Sequence, residues 1–150
     1  MKAILLAGGQ GTRLRPLTLN TPKPVVPIFD RPFLTYQIDL LKQVPEIDEV
    51  VLSLNYQPEA IAAVFGDGSA FGIRMRYVVE PEPLGTGGAI RLAAGRLRGD
   101  AAHVLNGDTW LEYDPAALEA TARATGTPMA IALARVDDVA RYGAVDIDND

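Results

Sequence analysis

Lys2-Ala3-Ile4-Leu5-Leu6-Ala7, running directly into Gly8-Gly9-Gln10-Gly11-Thr12-Arg13, is the stretch on which the reading of the whole chain turns. The apolar run Ala3 to Ala7 is far shorter than the roughly 20 residues of a membrane span and shorter than a secretory apolar core. It reads as a buried strand that ends on glycine. Three glycines in the four positions from Gly8 allow positive φ and leave no Cβ between backbone and ligand, so successive N–H groups can face one anion. Arg13 adds a permanently charged, forked donor.

Outward from this strand, short β-branched runs recur at Glu49 to Leu54, Met75 to Val79, Ala102 to Leu105 and Met129 to Ala134, with a further strand expected at Ala144 to Ile147. Between them, Phe33, Tyr36, Gln37, Leu40, Leu41 and Val44 fit one helical face, and Pro58 to Phe65 and Ala89 to Leu97 look alike. Asp114 before Pro115 is a capped start for a helix through Ala124. The alternation predicts an α/β fold, a mostly parallel sheet with helices on both faces. In such sheets ligands bind beyond the carboxyl ends of the strands. The segment from Pro16 to Pro32, with five prolines, reads as an ordered irregular connection near that end.

Bulk properties narrow the function. The 150 residues suit one domain, and a net charge of −5 argues against a general nucleic-acid surface, which needs clustered cations. No cysteine is present, which removes disulfides, thiolate metal sites and a Cys nucleophile. The chain reads as cytoplasmic, with no membrane partner and with homo-oligomerisation left open. No Gly-Lys-Ser/Thr tripeptide follows the glycines, so this is not a Walker loop. A dinucleotide fingerprint would need glycine where Leu14 stands and an acid where Leu54-Asn55 stands, so hydride transfer with NAD is disfavoured.

Three other residues are informative. Asp108, after the strand ending Leu105-Asn106, stands where a carboxylate would hold Mg²⁺ together with substrate phosphates, or else is a turn residue in Gly107-Asp108-Thr109. Glu80 ends a strand, either as a surface acid or as an acceptor for the two donors on the pairing edge of guanine. His103 reads as structural, and Trp110 as packing.

The run Leu6 to Thr18, followed by Thr21-Pro22-Lys23-Pro24, resembles the signature of the nucleoside-diphosphate-sugar pyrophosphorylases, or NTP-transferases. Phe65-Gly66-Asp67-Gly68, Glu82 to Ala89, Leu105-Asn106-Gly107-Asp108 and Arg141-Tyr142-Gly143 extend the likeness along essentially the whole chain. The resemblance implies a Rossmann-like three-layer αβα domain of the nucleotide-diphospho-sugar transferase type. It also implies that a phosphate oxygen of a sugar-1-phosphate attacks the α-phosphorus of an NTP and expels pyrophosphate, with Mg²⁺ as cofactor.

By the same resemblance Arg13 steadies the leaving pyrophosphate and Lys23 bridges the reacting phosphates, while Arg15 is left undecided. Leu6, Ala7, Gly8, Gly9, Gly11, Thr12 and Arg13 would hold the nucleotide phosphates, and Glu80, Pro83, Gly85 and Thr86 the base and ribose. Asn106 and Gly143 would meet the sugar, and Asp108 the metal. The run Leu14 to Thr18 and Asn55-Tyr56 are most similar to mannose-1-phosphate guanylyltransferases. Heptose-1-phosphate guanylyltransferases, amino-sugar-1-phosphate uridylyltransferases and, from another class, a non-catalytic nucleotide-sugar sensor are the alternatives. Family catalytic domains are longer, so residues 1–150 are expected to form the N-terminal nucleotide-binding part, without the second acidic metal ligand and the sugar-phosphate residues.

Overall fold

In a computed structural model that describes residues 1–97, 99, 101–141 and 143–147, the chain divides into two compact units, Met1–Trp110 and Leu111–Asp150. The first unit holds strands β1 (Lys2–Leu6), β2 (Pro27–Ile28), β3 (Arg31–Pro32), β4 (Glu49–Leu54), β5 (Arg74–Val79) and β6 (Ala102–Asn106), with helices α1 (Phe33–Leu41), α2 (Pro58–Phe65) and α3 (Gly85–Ala94). The second holds helix α4 (Pro115–Thr125).

Four strands form one parallel sheet in the order β5-β4-β1-β6. The chain first steps outward from β1 to β4 and β5, then returns to the other side of β1 for β6. Between β1 and β6 the winding direction reverses, and that reversal opens a crevice at the carboxyl ends. Register brings Leu6 level with Ser53 on one side and Asn106 on the other, so the loops after β1, β4 and β6 leave the sheet together.

Strand alternation sorts the side chains into two layers. Ala3, Leu5, Val50, Leu52, Leu54 and Met75 pack with Leu34, Ile38 and Leu41 of α1 and Ile61 and Phe65 of α2. Ile4, Val51 and Val78 pack on the opposite face with Ala93, Ile90 and Leu92 of α3. All six residues of β4 are buried, as a strand covered on both faces requires. The result is the three-layer arrangement expected from the alternation.

Several local readings change. The buried face of α1 is carried by Leu34, Gln37, Ile38 and Leu41 rather than by Phe33 and Tyr36, because Thr35 and Gln37 are buried with hydrogen-bond partners. Helix α3 begins at Gly85, four residues before the apolar pattern starts, so the glycine-rich segment forms its first turn instead of a free loop. The proline-rich connection contains a 3-10 turn at Lys23–Val25 and the small β2–β3 ribbon, whose tip residues Phe29 and Asp30 both have positive φ.

In the second unit Asp114 caps α4 as expected, accepting from the backbone N–H of Ala116 at 2.9 Å and of Ala117 at 3.2 Å. The strands expected at Met129 to Ala134 and Ala144 to Ile147 are not formed. An alternating segment becomes a strand only where another backbone supplies its hydrogen bonds, and among the described residues none pairs with either. Among the described residues no helix is long and apolar enough to cross a membrane.

Candidate active site

The loop after β1 is held from beneath. Ala7 donates its N–H to Ser53 O at 2.8 Å, and the buried Thr18 hydroxyl donates to Gly11 O at 2.7 Å. Gly11 sits at φ 62, and a Cβ there would meet Thr18 Cγ2 at 3.0 Å and Lys23 Cβ at 3.2 Å. Gly8 and Gly9 do not need positive φ, contrary to the expectation for all three. Gly8 instead allows close approach, since its Cβ would lie 3.2 Å from Asn55 Cβ and 3.3 Å from Glu80 Oε1.

The loop after β6 is fixed just as firmly. Gly107 donates to Leu6 O at 2.7 Å, and a Cβ on Gly107 would lie only 2.8 Å from that oxygen. Gln37, buried on α1, donates from Nε2 to Asn106 O and to Thr109 O, each at 2.6 Å. These two bonds bracket Gly107-Asp108 and set the direction of the turn. Asp108 then meets Lys23: the ammonium lies 2.8 Å from Oδ2, while Thr109 Oγ1 donates to Oδ1 at 3.2 Å.

A cavity of about 360 Å³ opens between these loops. Its wall includes Leu6, Ala7, Gly8, Gly9, Lys23, Glu80, Pro83, Gly85, Thr86, Asn106 and Asp108, all singled out in the sequence. Gln10, Pro24 and Asn55 also line it, though in the sequence they stand only within motifs, with no site role assigned to them. Gln37 and Ser53 lie behind the wall and were missed as site residues, since each looks like an ordinary member of a buried element. Gly11, Thr12 and Arg13 belong to the loop but not to the described cavity wall, with Arg13 exposed on the 3-10 turn Thr12–Leu14. Gly143 lies exposed in the second unit. Tyr142, part of the Arg141-Tyr142-Gly143 motif, is outside the described residues.

Glu80 is buried rather than a surface acid. Its Oε1 accepts from Ser53 Oγ at 3.0 Å and its Oε2 from the backbone N–H of Leu84 at 3.1 Å. Trp110 makes an edge contact with Tyr36, ring centres 6.4 Å apart, and is not on the cavity wall. Among the described residues no cluster of three or more His, Asp, Glu or Cys could form an all-protein metal cage.

A glycine-rich turn, a cation and a carboxylate at a sheet's switch point suit a nucleotide. The chain also matches the Nucleotidyl transferase family from residue 2 to residue 150. It belongs to that family. It is 44% identical over 148 residues to the mannose-1-phosphate guanylyltransferase of Mycobacterium tuberculosis, covering 99% of this chain and 41% of the relative. It is 40% identical over 148 residues to the D-glycero-alpha-D-manno-heptose 1-phosphate guanylyltransferase of Campylobacter jejuni, covering 99% of this chain and 64% of that protein. Among solved structures, HddC from Yersinia pseudotuberculosis complexed with GMP-PN superposes with a TM-score of 0.76 at 33% identity, over 99% of this chain and 64% of that one. The chain therefore spans about two fifths of the mannose-1-phosphate relative and under two thirds of the heptose-1-phosphate one.

Proposed function

We propose that this chain is the nucleotide-binding part of a sugar-1-phosphate guanylyltransferase that works in the cytoplasm, taking GTP and mannose-1-phosphate to GDP-mannose and pyrophosphate. The observation that carries the reading is the Lys23–Asp108 pair on the cavity wall, beside the backbone of Gly8 and Gly9. Two polyanionic substrates repel one another, so positioning and charge neutralisation supply most of the rate. An acceptor phosphate oxygen forms a bond to the α-phosphorus while the bond to the bridging oxygen of pyrophosphate breaks. Lys23 stands where its ammonium neutralises the reacting phosphates, and the N–H groups of the glycine loop hold the nucleotide. Arg13 is assigned to the departing pyrophosphate, Thr12 and Gly11 to the loop's grip on the nucleotide, and Asn106 to the sugar.

Asp108 fits one ligand position of Mg²⁺, which takes one or two carboxylates and completes its octahedron with water and phosphate oxygens. When bound, the metal supplies further neutralisation of phosphate charge. Glu80 with Pro83, Gly85 and Thr86 is assigned to the base and ribose. A heptose-1-phosphate acceptor is the second reading, supported by the likeness to the Campylobacter jejuni and Yersinia pseudotuberculosis proteins.

The test is pyrophosphate release with Mg²⁺ across four NTPs and a panel of sugar-1-phosphates, with thermal stabilisation by each NTP measured in parallel. Release with GTP and mannose-1-phosphate is the expected result. Stabilisation by GTP without release from any pair favours a sensor over an enzyme, and the absence of both release and stabilisation overturns the reading.

A further inference from the structure

Glu80 reaches the cavity wall although it is only 8% exposed, and both of its carboxylate oxygens are already held. Ser53 Oγ donates to Oε1 from β4, and the Leu84 N–H donates to Oε2 from the turn into α3. The backbone at the same residue is fixed too, with Glu80 N–H on Leu54 O at 2.7 Å and Asn55 Nδ2 on Glu80 O at 3.3 Å. A flexible glutamate is thereby ordered before any ligand arrives, and the entropy of ordering it is not charged to binding.

Ser53 is fully buried in a strand where the apolar Val50, Val51, Leu52 and Leu54 are fully buried too. A hydroxyl there is costly unless bonded, and its side-chain partner is the Glu80 carboxylate. Ser53 itself is not on the described cavity wall, so it acts through the carboxylate and not by touching a ligand. With one acceptor site on each oxygen taken, one remains on each. Two adjacent acceptors match a base edge that offers two adjacent donors.

We infer that Ser53 is a specificity-determining positioning residue: its hydroxyl aims the Glu80 carboxylate so that a base with two donors on its pairing edge is preferred over a base with one. This rests on the assignment of Glu80 to the base in the proposed function.

The test is calorimetric binding of GTP, ITP, which lacks the 2-amino donor, and UTP to the wild type and to Ser53→Ala, Ser53→Cys, Glu80→Gln and the Ser53→Ala/Glu80→Gln double variant. Ser53→Ala is expected to lower the GTP-to-ITP affinity ratio by roughly three- to tenfold, the scale of one ordinary intramolecular hydrogen bond, with ITP affinity little changed. Ser53→Cys, a weaker donor of similar size, should give an intermediate ratio. In the Glu80→Gln background, Ser53→Ala should have no further effect on the ratio. An unchanged ratio in Ser53→Ala, an equal loss for all three nucleotides, or the same loss in both backgrounds overturns the inference alone. A wild type that prefers UTP to GTP overturns the guanine reading as well, and is seen before any variant is made.

Discussion

Lys23 and Asp108, 85 residues apart in sequence, meet at 2.8 Å between ammonium and carboxylate at the mouth of the crevice between β1 and β6. Lys23 is held by Pro22 and Pro24, which restrict its backbone, and Asp108 by the Gly107 turn. The pair keeps two charges compensated; in the proposed function phosphate and metal would replace each partner. Both side chains are partly exposed, 27% and 47%, so the contact adds little stability, about 0–1 kcal/mol for pairs of this kind. Lys23→Ala is therefore expected to leave the urea midpoint almost unchanged while lowering turnover on the order of 10²-fold or more. Parallel unfolding curves and pyrophosphate-release rates check this, and an unfolded variant or unchanged turnover would contradict it.

Gln37 is the residue that sets where Asp108 points. Its amide nitrogen spans Asn106 O and Thr109 O at 2.6 Å each, from a position 1% exposed. Gln37→Met keeps the length of the side chain but leaves two carbonyls without that donor, which costs about 1–3 kcal/mol. Urea unfolding should show a lower midpoint with an unchanged slope. GTP affinity should become less dependent on Mg²⁺, since the turn carrying Asp108 is no longer fixed. A midpoint loss with an unaltered Mg²⁺ dependence would make Gln37 a packing residue only.

These two contacts mark the boundary of what the sequence makes legible. Short apolar runs identify β1 and β4, and helical spacing identifies α2, because burial of these elements is written within a few residues. The glycines and Lys23 stand out by type and spacing. Gln37 does not, because its partners lie 69 and 72 residues away and a glutamine on an apolar face carries no local signal of them. Met129 to Ala134 shows the converse: its alternation is strand-like, yet Met129, Ile131 and Leu133 are exposed at 70%, 59% and 50% because pairing depends on another segment. The face of α1 shifts for a local reason, since Thr35 is buried with its hydroxyl donating to Pro32 O.

At the opposite end of the sheet, Asp48 bonds Lys2 Nζ at 2.6 Å and also pairs with Arg74. The hydrogen bond from Lys2, with that from Arg74 behind it, outweighs desolvation and lowers its pKa to about 2. The folded state thus binds fewer protons than the unfolded state between that value and the ordinary carboxylate range near pH 4. Its stabilising contribution is fully present above that range and is lost as pH falls toward 2. Asp48→Asn is expected to flatten the fall of Tm between pH 4 and pH 2, and 1 M salt should shrink the difference because the carboxylate is half exposed. Thermal melts across that window are the measurement, and parallel wild-type and variant curves would remove the linkage.

Gly11 and Gly9 occupy the same loop under opposite constraints, and they separate backbone strain from ligand approach. Gly11 has φ 62 and only tight room for a Cβ, with Thr18 Cγ2 at 3.0 Å and Lys23 Cβ at 3.2 Å. Gly9 has no atom within 4 Å of where a Cβ would stand and no positive φ. Gly11→Ala should cost about 1–2 kcal/mol from the left-handed backbone alone and displace Lys23, lowering stability and GTP affinity together. Gly9→Ala should leave the fold intact within a few tenths of a kcal/mol, since a surface alanine meets nothing. GTP affinity should still fall in Gly9→Ala, because the added methyl group stands in the space through which phosphate oxygens reach the loop's N–H groups. Unfolding and calorimetric titration of both variants distinguish the two effects. A Gly9→Ala protein that binds GTP as well as the wild type would mean that the nucleotide does not approach the loop from that side.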